Sequence, residues 1–194
     1  APGMKGSVWV WDFSGSTLER ITQSNFNDGF GDFSANEEVL VFRSDRDGYH
    51  DIFVQEKGEI QNLTNNQDRD NFPAISTDGK KIVYSSDING LDVGEGIKTM
   101  DLFLTEKTAP GEWSKPRQLT QSKGQDAHAH FSPDGEWVIY TTEEFGINDE
   151  QPIVQSFLFS PQMYGEIVAL RLNDGKKIKL THNKWEEGAP LWVK

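Results

Sequence analysis

The apolar residues of this chain fall in short runs, alternating or continuous, separated by clusters rich in Gly, Pro, Asn and Asp. Such a pattern predicts many short strands joined by tight turns and no long helices. Four of the runs close on a Leu-Thr or Ile-Thr pair, at Thr22, Thr64, Thr120 and Thr181. Eleven residues beyond each Thr stands a large apolar residue: Phe33, Ile75, Phe131 and Trp192. Six residues beyond it stands an acid: Asp28, Asp70, Asp126 and Glu187. The spacing between successive anchors varies while these offsets hold. Fixed offsets inside a variable period mark one structural unit with loops of different length inserted elsewhere.

Each unit reads as four antiparallel strands. The first ends on the apolar anchor and leads into a turn, Ser76-Thr77-Asp78-Gly79 or Ser132-Pro133-Asp134-Gly135, with Ser34-Ala35-Asn36-Glu37 as a degenerate version. Asp-Gly supplies the positive-φ position that a tight hairpin needs. Second strands are predicted over 39–44, 81–86 and 137–142, third strands over 49–55, 100–105 and 166–172, and a fourth closes on each Thr. Four strands in roughly 40 to 50 residues is the period of a propeller blade. The expected fold class is therefore all-β, a β-propeller in a single domain. It has three complete four-stranded blades at about 23–64, 65–120 and 121–181, with part-blades at 1–22 and 182–194. The two ends either join into a composite blade of a four-bladed ring or belong to a larger propeller. In the second case a further segment or another chain completes the ring, and an open strand edge is a template for pairing.

The segment Phe131-Ser132-Pro133-Asp134-Gly135, the aromatic-rich strand after it and the Leu119-Thr120 ending closely resemble the repeats of the TolB-like β-propeller family. Repeats of this type also occur in oligogalacturonate lyases and in propellers attached to prolyl oligopeptidase-type peptidases. The resemblance covers nearly the whole chain. It implies the fold and leaves the activity open, because one repeat type hosts many functions.

Composition narrows the partners. A net charge of -12 gives a mean field that repels phosphate backbones, so nucleic acid is excluded as a partner. No apolar run reaches the ~18 residues of a membrane helix, so an integral membrane protein is not expected. With no cysteine, neither disulfides nor thiolate chemistry enters. The opening Ala1-Pro2-Gly3 fits a processed secretory product, a proteolytic fragment or a cloning scar, and the expected location is periplasmic or secreted.

Candidate chemistry gathers on one end of the disc, where fourth-to-first and second-to-third connections meet. His128 and His130 open the first strand of the third blade, two residues apart and so on one side of an ideal strand. Neutral imidazoles ligate divalent transition metals. The order Gln125-x-x-His128-x-His130 resembles the metal-binding strand of oligogalacturonate lyases. That resemblance implies a divalent metal on Gln125, His128 and His130, although the further histidine of that family has no counterpart here. Hydrogen-bonded structural histidines are the other reading. The recurring acids are read as acceptors of backbone N–H bonds in the fourth-to-first connections, with a calcium or water site as the alternative.

Two inserts lengthen second-to-third connections on the same end, at 87–99 and 143–164. The second carries Phe157, Leu158, Phe159, Met163 and Tyr164, an apolar set expected to fold over its own disc or to bury itself against a partner protein. No nucleophile elbow, His-Glu-x-x-His pair or phosphate loop occurs. The expected function is a noncatalytic interaction or scaffold module of an extracytoplasmic assembly, binding another protein through the insert-bearing end or an open strand edge. The alternative is a metal-assisted lyase acting on uronate polysaccharides.

Overall fold

The computed structural model describes residues 5–22, 25–94, 96–145, 165–182 and 187–193. Every helix or strand within them is a strand. The hairpin of β1 (Trp9–Asp12) and β2 (Thr17–Arg20) comes first. It is followed by an antiparallel sheet of β3 (Gly29–Phe33), β4 (Val39–Ser44), β5 (Asp51–Glu56) and β6 (Glu59–Asn62), in that order. The next sheet starts with β7 (Asp70–Ile75) and β8 (Lys81–Ser86), and the third runs β14 (Asp126–Phe131), β15 (Trp137–Thr142), β16 (Glu166–Arg171) and β17 (Lys177–Lys179). The first strands β3, β7 and β14 touch one another from sheet to sheet, which places them at the hub of the disc. Three complete blades and the first of the two predicted part-blades are thus observed; from 182–194 the described residues contribute one bridge, Glu187 to Gly165.

The middle blade departs from the pattern at its rim. Its third strand, β11 (Asp101–Ala109), outruns the predicted 100–105, and its outer partner is split into β12 (Glu112–Trp113) and β13 (Arg117–Gln118). Pro116 has no N–H to offer a ladder, so the outer strand breaks beside it. The first insert also has structure of its own, the hairpin β9 (Asp92–Gly94) and β10 (Ile97–Lys98). Its base is tied by the Thr99 N–H on the Leu91 carbonyl and the Leu91 N–H on the Thr99 hydroxyl, both at 2.9 Å.

Central strands feed two cores at once because successive side chains point to opposite faces. From β4, Val39 and Val41 face the middle blade with Ile75, Ile82, Tyr84 and Phe103, while Leu40 and Phe42 pack with Phe53 toward Val8 and Ile21 of the part-blade. From β8, Val83 turns the other way, to Phe131, Val138 and Tyr140 of the third blade. That is why these runs read as continuous apolar sequence instead of alternating.

The hairpin turns also repeat atom for atom. The hydroxyls of Ser34, Ser76 and Ser132 accept the N–H of Val39, Lys81 and Trp137 at 3.1, 2.9 and 3.0 Å and donate to Asn36, Asp78 and Asp134. Gly79 and Gly135 hold the left-handed position at φ 70° and 67°, and in the first blade Glu37 is held there at 57°.

The anchor threonines tie each blade together. Each hydroxyl accepts a main-chain N–H at the head of the third strand: Val8 to Thr22 at 2.9 Å, Ile52 to Thr64 at 3.1 Å, Leu102 to Thr120 at 2.9 Å and Ile167 to Thr181 at 2.8 Å. The same hydroxyl serves an acid heading that strand, Thr64 to Asp51 at 2.9 Å and Thr181 to Glu166 at 2.5 Å, with Thr120 on Asp101. Two residues before each Thr a second donor joins: Arg20 to Ser7, Asn62 to Asp51, Gln118 to Asp101 and Lys179 to Glu166. The next blade is stapled on by the N–H of Asp28, Asp70, Asp126 and Glu187, which donate to the carbonyls of Gly6, His50, Met100 and Gly165.

The recurring acids differ from expectation in what they hold. Asp28 accepts the Ser44 hydroxyl at 2.6 Å and Arg46 at 3.1 Å, Asp126 accepts the Thr142 hydroxyl at 2.5 Å, and Asp70 takes the Asn66 amide at 3.0 Å and the Ser86 hydroxyl. The loop N–H groups go instead to Asp51, from Asn66 at 3.1 Å, and to Asp101, from Ser122 at 3.0 Å. The acid at the start of the first strand takes side-chain donors, and in the middle blade one of them, the Asn66 amide, comes from the loop itself. Its neighbours in the junction are the hydroxyls that end the second strand.

Burial dominates the ionisation of the two central junction acids and pushes Asp70 and Asp126 up to about 6. Hydroxyl and amide donors oppose this, while Asp51 beside Asp70 and Asp101 beside Asp126 add to it. A folded-state pKa above the ordinary 3.8 means the folded chain binds more protons between about pH 4 and 6. The associated stability is full below that window and is lost as pH rises through about 6. Urea unfolding should show a loss of about 1–3 kcal/mol per site from pH 4 to 7, measured as the difference from an Asp70→Asn/Asp126→Asn variant. Parallel curves for the two proteins would refute the assignment.

Candidate interaction face around the propeller axis

Each first strand carries a β-bulge at the same place. Register slips between Gly29 and Asp32, between Asn71 and Ala74 and between Ala127 and His130. Phe30, Phe72 and His128, together with Ala189 in the last repeat, are left-handed at φ 54°, 52°, 52° and 49°. All four lie eight residues beyond an anchor Thr. A non-glycine residue in this region costs about 1–2 kcal/mol, and bulges of this kind re-aim a side chain. Here they bring three rings together: Phe30 and Phe72 meet edge to face at 4.7 Å between centroids, and Phe72 meets His128 at 4.2 Å. Phe30 is half exposed.

The bulge corrects the simple alternation expected for the histidines, because His128 is the left-handed residue and does not follow the strand's two-residue period. The partition of faces survives in the burial: Ala127, Ala129 and Phe131 are buried, whereas His128 and His130 are partly exposed. His130 lies within electrostatic reach of Asp32, the residue at its own position in the first blade. Burial raises the Asp32 carboxyl above its ordinary range, against the Ile75 N–H at 2.9 Å, the charge of His130 and the Phe33 N–H at 3.0 Å. The Ile75 bond joins the hub strands of the first two complete blades. Gln125 is buried, and its side-chain oxygen accepts the Met100 N–H at 2.9 Å. Among the described residues no group of three or more His, Cys, Asp or Glu is arranged to hold a metal. Phe157, Leu158, Phe159, Met163 and Tyr164 lie outside the described residues.

The same end of the disc holds groups that sequence reasoning passed over. Arg43 occupies β4 where the other blades have Ser85 and Thr141, opposite Gly29 of β3. Its guanidinium lies 4.9 Å from the centre of the Phe30 ring and donates from Nη1 to Asn71 at 3.2 Å. Arg69 pairs with Asp87 at 2.8 Å. Burial, then the charges of Arg43 and Arg69, hold the His50 imidazole below its ordinary value against Asp45 and Asp51. Ile88, Leu91 and Val93 of the hairpin insert are exposed on this end. The available signal for Arg43 was a lone cation closing an otherwise apolar run. A groove of about 550 Å³ between Glu56, Ile60 and Trp113 lies at the opposite end, and none of the predicted site residues lines it.

No family model matches the chain. The Tol-Pal system protein TolB of Helicobacter hepaticus is 29% identical over 143 residues, spanning 72% of this chain and 32% of that protein. TolB from Acinetobacter baumannii superposes with a TM-score of 0.69 at 18% identity, over 94% of this chain and 39% of its own. The structure of putative TolB from Agrobacterium tumefaciens gives 0.67 at 18% identity, over 95% of this chain and 59% of its own. The chain thus spans about a third of the length of the curated relative it matches.

The bulge makes a specific demand on residue 128. His128→Val, β-branched at positive φ, should lose about 2 kcal/mol or more in urea unfolding, while His128→Gly should stay within about 1 kcal/mol of the parent. Equal losses in the two variants would show that the ring contact, and not the backbone, governs this position.

Proposed function

Because the chain is a TolB-like β-propeller repeat protein, we propose that it is a noncatalytic protein-interaction module of a Tol-Pal-type assembly, working in the periplasm. The observation that carries this reading is the face itself. Bulges in successive blades, each at an energetic cost, hold Phe30, Phe72 and His128 in one aromatic row at the hub. Beside the row, the hairpin insert presents Ile88, Leu91 and Val93 to solvent. Exposed aromatic and aliphatic side chains set among charges are the composition of a protein-binding surface. A metal-assisted lyase draws less support, since the Gln125 oxygen is already engaged by the Met100 N–H.

Purified Tol-Pal components from the same organism provide the test, by calorimetric titration. One of them should bind with micromolar or tighter affinity, and a Phe30→Asp/Leu91→Asp variant should bind at least tenfold more weakly. Absence of binding by every component, or equal affinity of the variant, would overturn the proposal.

A further inference from the structure

Among the described residues Arg43 is a guanidinium paired with no carboxylate, in a chain with 31 acidic residues. Its neighbours are matched: Arg46 holds Asp28 at 3.1 Å and Arg69 holds Asp87 at 2.8 Å. Among the described residues Arg43 has no ion pair, its one hydrogen bond is the 3.2 Å contact to Asn71, and its Nε is buried with no acceptor. Burial pulls its pKa down from the ordinary value, with Asp45 and Asp28 opposing from beyond contact. An arginine keeps its charge in such a place, and an uncompensated one favours an anion from outside.

The surroundings define that anion. Phe30 stacks beneath the guanidinium and is itself half exposed, so the planar fork is braced on one side by a ring. Space exists at the fork: a methyl group at Gly29 would meet nothing nearer than Arg43 Nη2, at 3.6 Å. The long-range field of a -12 chain disfavours a polyanion. One carboxylate flanked by apolar groups satisfies the fork, the ring and the field together. We propose that Arg43, braced by Phe30 and Asn71, is a carboxylate-binding site for a peptide bearing a single acidic group beside an apolar residue. This inference rests on reading the hub end as the interaction face, and it names the chemistry recognised there.

The test uses the full chain labelled with ¹⁵N and follows the Arg43 Nε–H resonance. The probes are acetyl-leucyl-aspartyl-leucine amide, its asparaginyl analogue, and the asparaginyl peptide with a free C-terminal carboxylate. The aspartyl peptide should shift the Arg43 signal with at least tenfold higher affinity than the neutral analogue. A matching shift from the third peptide would assign the carboxylate to a chain terminus as well as to a side chain. Gly29→Asp places an internal carboxylate at the fork and should abolish the response while the rest of the spectrum is retained. Arg43→Lys keeps the charge without the fork and should weaken binding severalfold. Equal response to aspartyl and asparaginyl peptides, or undiminished binding in Gly29→Asp, would overturn the site. Tol-Pal components bound equally well by Arg43→Gln and the parent would end this proposal and spare the interaction reading. Peptide binding at Arg43 with no binding of those components would do the reverse.

Discussion

The hydroxyl of a single threonine, placed at the rim end of each blade, is the contact on which the rest of the disc depends. It accepts the N–H of the second residue of the third strand and, in the three complete blades, hydrogen-bonds the acid that begins that strand. The outer strands are short and largely exposed, so their own ladder bonds and burial hold them weakly. The threonine closes the blade from its far edge. It also fixes where the chain must turn back toward the hub, and therefore where the first strand of the next blade begins.

That constraint explains the fixed offsets. From the anchor the chain has six residues to reach the junction acid and eleven to reach the apolar residue that ends the hub strand. The N–H of the acid is held by the preceding blade's carbonyl, and its side chain by the hydroxyl that ends the second strand of its own blade. Between those two fixed points the hub strand has one residue more than its partner can match, and the excess is taken up at the bulge. The left-handed residue at each bulge is thus a geometrical consequence of closure, and the ring row at the hub is built on it. Loops outside these fixed points are free to vary, and the hairpin of β9 and β10 is accommodated in one of them, the second-to-third connection of the middle blade.

Much of this was legible in the residues. Thr, acid and apolar anchor recur with invariant spacing, and the Ser-x-Asp-Gly turns announce hairpins, so blades and their strand order followed from pattern alone. The bulges were not legible. Phe30, Phe72 and His128 carry no Gly or Asn to advertise positive φ, and an ideal strand was the natural reading of the His-x-His pair. The role of the acids was visible in position but not in partner, because backbone N–H and side-chain hydroxyls lie equally near in sequence. Arg43 was hidden for a different reason: one cation in an apolar run looks like a strand end, and only the packed blades show that its neighbours are paired while it, among the described residues, is not.

Native-state hydrogen exchange in a Thr120→Val variant bears on the anchor directly. Valine keeps the shape and removes the hydroxyl, leaving the Leu102 N–H and the Asp101 carboxylate of the middle blade without it. The account predicts a loss of about 1–3 kcal/mol of protection at Leu102 and in the β11 to β13 pairing, with the β3 to β6 sheet changed far less. Unchanged exchange at Leu102, or a loss spread evenly over all blades, would contradict it.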